Sequence, residues 1–430
     1  MKKIIDNGFC IGCGGCQVQK NIPTKENQYG QFLPDTNDYN ELDDESCPFS
    51  ENIKNEIEIS KHFYGKEQDI NFHKHIGYYH NIYAGFVASG DFRRNGTSGG
   101  FTKWLLCKLL ESREIDGVIH VVRKNDSNEL FEYGISTTTE EIKSASQSAY
   151  YTTNFSSVLN QVIKEGDDKK YAFVGVPCYC KSVASMKINY PKIKNKIKFI
   201  FGIFCGHMKS KNYAKLMAWE SGLDPNILQY VNFRKKTSQD KKASDYNFHA
   251  KTQNEESTKP RHKLSGGNYN IPHLKHKSCD YCEDVFGYCA DVVMGDAWLK
   301  RYVHDSNGTN IIITRNKFIN QFILKYANDL KIDKLEEKQA INSQSSSCSH
   351  RLKHLPYRLY LDQKQNKFYP PKMVQPNQSV CTDREKMIQS LRIQIRDDSH
   401  DAFLQALSES DIRLYFDKIG NLINDLNSLY

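Results

Sequence analysis

No apolar run in the sequence approaches the roughly 18–20 residues that a membrane-spanning helix needs, so no membrane span is expected. The opening Met1-Lys2-Lys3-Ile4-Ile5-Asp6 has a small basic head, but Asp6 and Asn7 follow at once. The apolar stretch of a secretory signal is therefore missing, and a cytoplasmic protein is expected. Proline is scarce, at 12 of 430 residues, and no repeat of any period is found, which excludes a collagen-like chain. Hydrophobic residues at 39% and charged residues at 26% are ordinary shares, which excludes a mostly disordered chain. The charge surplus is small: 59 basic against 51 acidic residues leave +8, much of it lysine in polar stretches such as 235–263. A nucleic-acid footprint is usually stronger and more concentrated, so no nucleic-acid partner is expected. An acidic protein or a phosphate-bearing ligand would use the same surplus. The length predicts two or three compact units.

Cysteine, by contrast, is plentiful. Thirteen thiols, an odd number, in a chain with no secretion signal point to metal binding or redox work rather than a disulfide framework. Cys10, Cys13 and Cys16 fall within seven residues, and Cys47 follows with Pro48 behind it. A 4Fe–4S cube needs four thiolates around one cage, and a loop offers three of them only if its backbone wraps that cage closely. Gly12, Gly14 and Gly15 permit the wrapping and bring N–H groups towards the sulfurs. Zinc is the alternative, but structural zinc sites usually pair ligands on separate knuckles. Residues 1–60 are therefore read as one ferredoxin-type 4Fe–4S module, with 61–80 as a connector.

From residue 81 the pattern becomes alternating strands and helices. Short β-branched or aromatic runs predict strands at 116–122, 170–176, 198–204, 291–295 and 310–314. A helix is predicted over 99–112, with Phe101, Trp104, Leu105 and Leu109 on one face, and another over 209–221. The lysine-rich stretch 235–277 reads as a long loop or an irregular hairpin inserted into a domain spanning 81–330. Beyond it, 331–430 reads as helical. Ile412, Tyr415, Ile419, Leu422, Leu426 and Leu429 form a stripe that fits a helix docked on its own domain, or alternatively a partner helix.

Two further features carry chemistry. Arg93-Arg94-Asn95-Gly96-Thr97-Ser98-Gly99-Gly100 precedes the 99–112 helix, where free N–H groups and the helix dipole attract phosphate, and the two arginines with the Thr97 and Ser98 hydroxyls add donors and charge. A plain N-capped turn explains the same residues, and neither the P-loop nor the dinucleotide fingerprint is present. Cys178 and Cys205 each end a predicted strand, and Cys279-Asp280-Tyr281-Cys282 supplies a knuckle. Together they could hold a second cube. His273, His276, Cys279 and Cys282 could instead close a zinc site, and Cys178 or Cys205 alone could be a core residue. His207, beside Cys205, is a candidate proton donor, against a purely structural role.

Four passages together make the chain resemble the coenzyme F-420 hydrogenase/dehydrogenase beta-subunit family, which includes the 7-hydroxymethyl chlorophyll a reductases. They are Cys10–Cys16 with Tyr29–Pro34 and Cys47-Pro48; Arg94–Gly100 with Ile115–Val118; Ser148–Asn154 with Phe173–Cys178 and Gly202–Gly206; and Cys279–Cys282 through Asp291 to Trp298. The resemblance implies an α/β fold with α+β elements: a ferredoxin-like iron–sulfur segment, a mixed α/β flavin-binding domain and a helical tail. It implies an oxidoreductase that holds FAD and passes electrons through iron–sulfur clusters, with Arg94, Gly96, Thr97, Ser98, Gly99 and Gly100 as flavin contacts. It tips Cys178, Cys205, Cys279 and Cys282 towards a second cluster. Its partners would be a small-molecule substrate and an electron donor such as ferredoxin or a reduced cofactor. A homo-oligomer and a subunit of a larger complex both fit, and so does a role in sugar-polymer synthesis. Two departures stand out: Tyr179 and Cys180 follow the Pro-Cys pair where many relatives have Gln, and Ser148–Tyr151 lacks a usual lysine. The rival readings are an electron-relay subunit and a zinc-dependent binding module.

Overall fold

The computed structural model describes residues 1–126, 129–145, 147–166, 168–237 and 241–430. Residues 238–240 of the lysine-rich stretch lie outside the described residues. An eight-stranded mixed sheet organises the chain. In chain order its strands are β1 (Asn81–Val87), β2 (Gly117–Asp126), β3 (Glu129–Ser136), β4 (Tyr171–Gly175), β5 (Ile197–Ile203), β6 (Val292–Asp296), β7 (Asn310–Thr314) and β8 (Leu330–Lys334). The spatial order is β8-β1-β7-β6-β5-β4-β2-β3. β2, β4, β5 and β6 run parallel at the centre, and antiparallel strands flank them on both sides. All five strands predicted from β-branched runs are present. They alternate as a pleat requires. Phe199 and Phe201 face one helical layer while Ile200 faces the other, and Ile312 points opposite to Ile311 and Ile313.

Helices Phe101–Glu111 and Lys317–Lys325 cover one face. Phe101, Trp104, Leu105 and Leu109 are fully buried there, as the predicted stripe requires. Helices Ser156–Lys164 and Pro177–Asn189 cover the other face, and the N-terminal cysteine loop packs into the same core through Phe9, Ile11 and Cys13. Helix Glu56–Tyr64 and a small hairpin, Asn71–His73 with Gly77–Tyr79, connect that loop to β1.

Of the two readings of 235–277, the hairpin is the one formed. Asn247–Lys251 pairs with Glu256–Pro260 and with Tyr230–Lys235 in a three-stranded antiparallel sheet. Helix Asn212–Glu220 and the tail helices Asp383–Ser408 and Arg413–Ser428 share one core with this sheet. Tyr415, Ile419 and Leu426 are fully buried in it, so the stripe docks on its own chain. Each such side chain contributes about 1.5–3 kcal/mol by leaving water. Among the described residues no helix is long and apolar enough to cross a membrane.

Candidate functional site: two thiol quartets and a glycine turn

Cys10, Cys13, Cys16 and Cys47 line one small enclosed pocket together with Ile11, Pro48 and Phe49. The loop closes because Gly12 and Gly14 take left-handed φ values of 69° and 84°. A Cβ on Gly15 would collide with the Ser182 hydroxyl, so the loop can lie this close to helix Pro177–Asn189 only with glycine there. Asn154 Nδ2 holds the Gly12 carbonyl at 3.1 Å, and Ser182 Oγ holds the Ser46 carbonyl at 2.6 Å. The Gly12 and Gly15 amides point at the Cys10 and Cys13 sulfurs, each 3.4 Å away. Burial pushes the Cys10 thiol up to about 12, and the charge of neighbouring Cys47 adds to it. Cys13, Cys16 and Cys47 are raised in the same direction, first by burial. Only a bound cation would make four buried thiolates stable here.

Cys178 opens the helix that follows β4, Cys205 follows β5, Cys279 lies within the tight turn Lys277–Tyr281, and Cys282 directly follows that turn. β4 and β5 are adjacent and parallel, so their ends meet at one edge of the sheet. Cys178, Cys205 and Cys279 pack at one core, Cys178 Sγ lies 4.0 Å from Met208 Sδ, and Arg351 spans Cys282 Sγ and the Gly206 carbonyl, so the four thiols share one neighbourhood. Burial raises the Cys178 thiol, and the other three raise it further. Cys13 and Cys47 of the first quartet lie in that same core, so the two quartets are neighbours, and Cys13 also raises Cys178. Tyr133 and Tyr179 pack in the same core as Cys13 and feel both Cys13 and Cys178. The Met208 amide donates to Cys279 Sγ at 3.2 Å, and Arg351 Nη1 donates to Cys282 Sγ at 3.1 Å.

The histidines of the zinc alternative are occupied elsewhere. His273 uses both ring nitrogens, on Tyr415 Oη at 2.7 Å and Ser265 Oγ at 3.2 Å, and His276 Nε2 meets Thr152 Oγ1 at 2.7 Å. His207 stacks on Tyr269 with ring centroids 4.0 Å apart. Burial, with Lys209, Lys275 and Arg392 nearby, holds it well below the usual histidine range, so it is neutral.

The glycine turn sits at the same sheet edge. Ser98 donates to the Thr309 carbonyl at 3.0 Å, Ser148 Oγ donates to Thr97 Oγ1 at 3.3 Å, and Asn310 Oδ1 accepts from the Phe101 amide at 3.2 Å. Asn310 Nδ2 also reaches the Gly295 carbonyl at 3.3 Å, which ties the turn to the end of β6. A Cβ on Gly99 would meet Gly85 and Asn310, so that glycine is needed for packing alone. Arg94 points outward and pairs with Asp91 at 3.0 Å. Arg93 turns inward instead, to Asp305 at 2.6 Å and the Gly308 carbonyl at 2.9 Å. Beside the turn, Arg234 pairs with Asp296 at 2.9 Å and lies over the Tyr246 ring.

Sequence reasoning missed Arg351 and Arg234, which no local pattern marks. Arg93 belongs to the glycine-turn passage, and what the sequence did not show is its inward pairing with Asp305 and Gly308. The tail also grips the knuckle. Asp280, 3% exposed, is bonded by Lys275, by His350 at 3.0 Å and by Arg396. Burial opposes its ionisation, but Lys275 and Arg396 hold it well below the usual carboxylate range.

This is a mixed α/β chain whose parallel strands deliver cysteines to one sheet edge. Residues 82–160 match the model of the coenzyme F-420 hydrogenase/dehydrogenase beta-subunit N-terminal region, and residues 168–339 match that of its C-terminal region. The chain belongs to this family, which is named for hydrogenase and dehydrogenase activity. No curated protein sequence matches the chain. The fold is similar to a subunit in the F-420-reducing nickel–iron hydrogenase complex of Methanosarcina barkeri. The TM-score is 0.52 at 17% identity, over 71% of this chain and 100% of that one.

Proposed function

We propose that the protein is an iron–sulfur flavoprotein oxidoreductase that moves electrons between two 4Fe–4S sites and a bound FAD. The observation that carries this reading is the pair of buried thiol quartets packed into one core, Cys13 and Cys47 together with Cys178, Cys205 and Cys279. Zinc is the weaker fit. Thiolates on one zinc ion lie within about 4 Å of each other, from Zn–S bonds of about 2.3 Å. Among the described residues, neither quartet brings three sulfurs within 4.8 Å of one another, whereas a cube spreads its ligands wider.

Cys10, Cys13, Cys16 and Cys47 would hold one cluster, and Cys178, Cys205, Cys279 and Cys282 the other. The amides of Gly12, Gly15 and Met208 would donate to ligand sulfurs and stabilise their negative charge. For FAD, the supporting features are the turn Gly96–Gly100 with the Thr97 hydroxyl and the start of helix Phe101–Glu111, flanked by Arg93 and Lys236. A flavin, when bound, couples two-electron chemistry on an organic partner to single-electron carriers. The same sheet edge carries the turn and the second quartet, so a flavin held there would adjoin that cluster. The organic partner is a deazaflavin-type cofactor or another organic acceptor, such as one used in sugar-polymer synthesis. The likeness to a hydrogenase-complex subunit supports work within a larger assembly.

The test is anaerobic purification followed by iron, sulfide, zinc and flavin analysis of one sample. Iron and sulfide for two cubes per chain with one FAD is the expected result. Zinc without iron or flavin after anaerobic reconstitution would overturn the reading.

A further inference from the structure

The second quartet is completed by a part of the chain outside the family models, which end at residue 339. The five-residue π-helical turn Ser349–Lys353 carries Arg351 inward until it is 2% exposed. Its guanidinium makes three contacts: Cys282 Sγ at 3.1 Å, the Asp284 carbonyl, and the Gly206 carbonyl at 2.7 Å. One buried cation therefore touches the residue after Cys205 and both ends of the Cys282–Asp284 segment. The carbonyl contacts are those of a clamp. The sulfur contact is different, because it sets a permanent positive charge against a cluster ligand. Among the described residues, no arginine bonds a thiol of the first quartet; the Gly12 and Gly15 amides donate to sulfur there, and Lys181, the buried cation whose charge reaches Cys47, is paired with Glu56 at 3.2 Å.

We infer that Arg351 is a positioning residue that makes the second cluster the easier of the two to reduce, and so directs electrons from the first site to the second. The inference rests on the cluster reading of both quartets. The biased step is a one-electron transfer: the first site is oxidised by one electron and the second reduced by it, with no bond made or broken and no proton moved. The reduced site carries one more negative charge than the oxidised one, and a fixed cation beside its ligand favours that state. Arginine serves this purpose because it stays protonated when buried and its planar fork reaches a sulfur and a carbonyl together.

The experiment is an anaerobic redox titration followed by electron paramagnetic resonance, with iron counted on the same samples, for wild type, Arg351→Gln, Arg351→Lys and Cys282→Ser. Arg351→Gln should keep both sites loaded. It should cut the equilibrium constant for first-to-second transfer at least tenfold, a 59 mV fall in the second-site potential for one electron. The first-site potential should not move, and Arg351→Lys should restore most of the shift. An unmoved second potential in loaded Arg351→Gln would overturn the inference. So would a fall in Arg351→Lys as large as in Arg351→Gln, or loss of second-site iron from both variants, since each leaves Arg351 as a clamp only. Cys282→Ser separates the two readings: it should remove one cluster's worth of iron. Unchanged iron in that variant would refute the second cluster itself, whatever Arg351 does.

Discussion

Replacing Asp280 with asparagine tests the tail's grip on the knuckle. The side chain is 4% exposed and faces Lys275, 1% exposed, and Arg396, 4% exposed, with His350 at 3.0 Å. Asparagine keeps the shape and removes the charge, which leaves two buried cations facing a neutral amide. Breaking a buried ion cluster from one side costs about 3–5 kcal/mol, because the remaining charge is uncompensated. An unfolding entropy of about 2.1 cal/mol/K per residue gives roughly 0.9 kcal/mol/K for a chain of this size melting as one unit. Asp280→Asn should therefore lower Tm by about 3–6 °C in a thermal melt followed by circular dichroism. Asp397 also pairs with Arg396, at 2.7 Å, but is 56% exposed. Asp397→Asn should move Tm by under about 1 °C, since exposed pairs contribute about 0–1 kcal/mol. Equal shifts in the two variants would refute the argument, because they would show that burial of the partner does not set the cost.

Two further outcomes follow from the geometry. Gly15→Ala should lose the iron of the first site while keeping that of the second, and adding Ser182→Ala should restore part of it by removing the hydroxyl the new methyl would strike; iron counts that are unchanged in Gly15→Ala would show that the loop has room to give. Burial pushes His120 down to about 4, with Lys103 adding to the shift. The unfolded chain then binds one more proton between about pH 4 and 6.5, so this contribution is complete above pH 6.5 and is lost as pH falls towards 4, by roughly 3 kcal/mol. His120→Gln should flatten the stability profile over that window, and an unaltered slope in denaturant titrations at pH 5 and pH 7 would contradict it.

What was legible in the sequence was what has a period or a dense local pattern. β7 announces itself with Ile311, Ile312 and Ile313, all fully buried, and helix Phe101–Glu111 by its apolar stripe. β1, β3 and β8 were harder to see. Gly85 interrupts β1 because the backbone of β8 passes where a Cβ would lie, and the edge strand Leu330–Lys334 keeps only Leu330 buried. Helix Pro177–Asn189 shows no stripe because Lys181, Ser182 and Ser185 are buried along with its apolar residues. The first thiol loop is written in seven consecutive residues and could be read directly. The second quartet draws on three distant segments, and its order along the chain suggested convergence. Arg351 stands alone in a Ser-, His- and Lys-rich stretch, and nothing periodic marks it; its place is fixed only by the wide turn and the helices that follow.

The tail's reach back to the knuckle gives the molecule an order of manufacture. Cys47 is the last member of the first quartet, and Arg351 lies 304 residues later. At about 5–20 residues per second, a ribosome needs roughly 15–60 s to cover that distance. During that interval the nascent chain already exposes every cysteine of the first loop, and later of the knuckle, without the guanidinium, imidazole and carboxylate contacts that hold the knuckle in place. The second quartet is thus the last to acquire its finished shape, and on the cluster reading its thiols meet their full set of contacts only once Arg351 and Arg396 have been made.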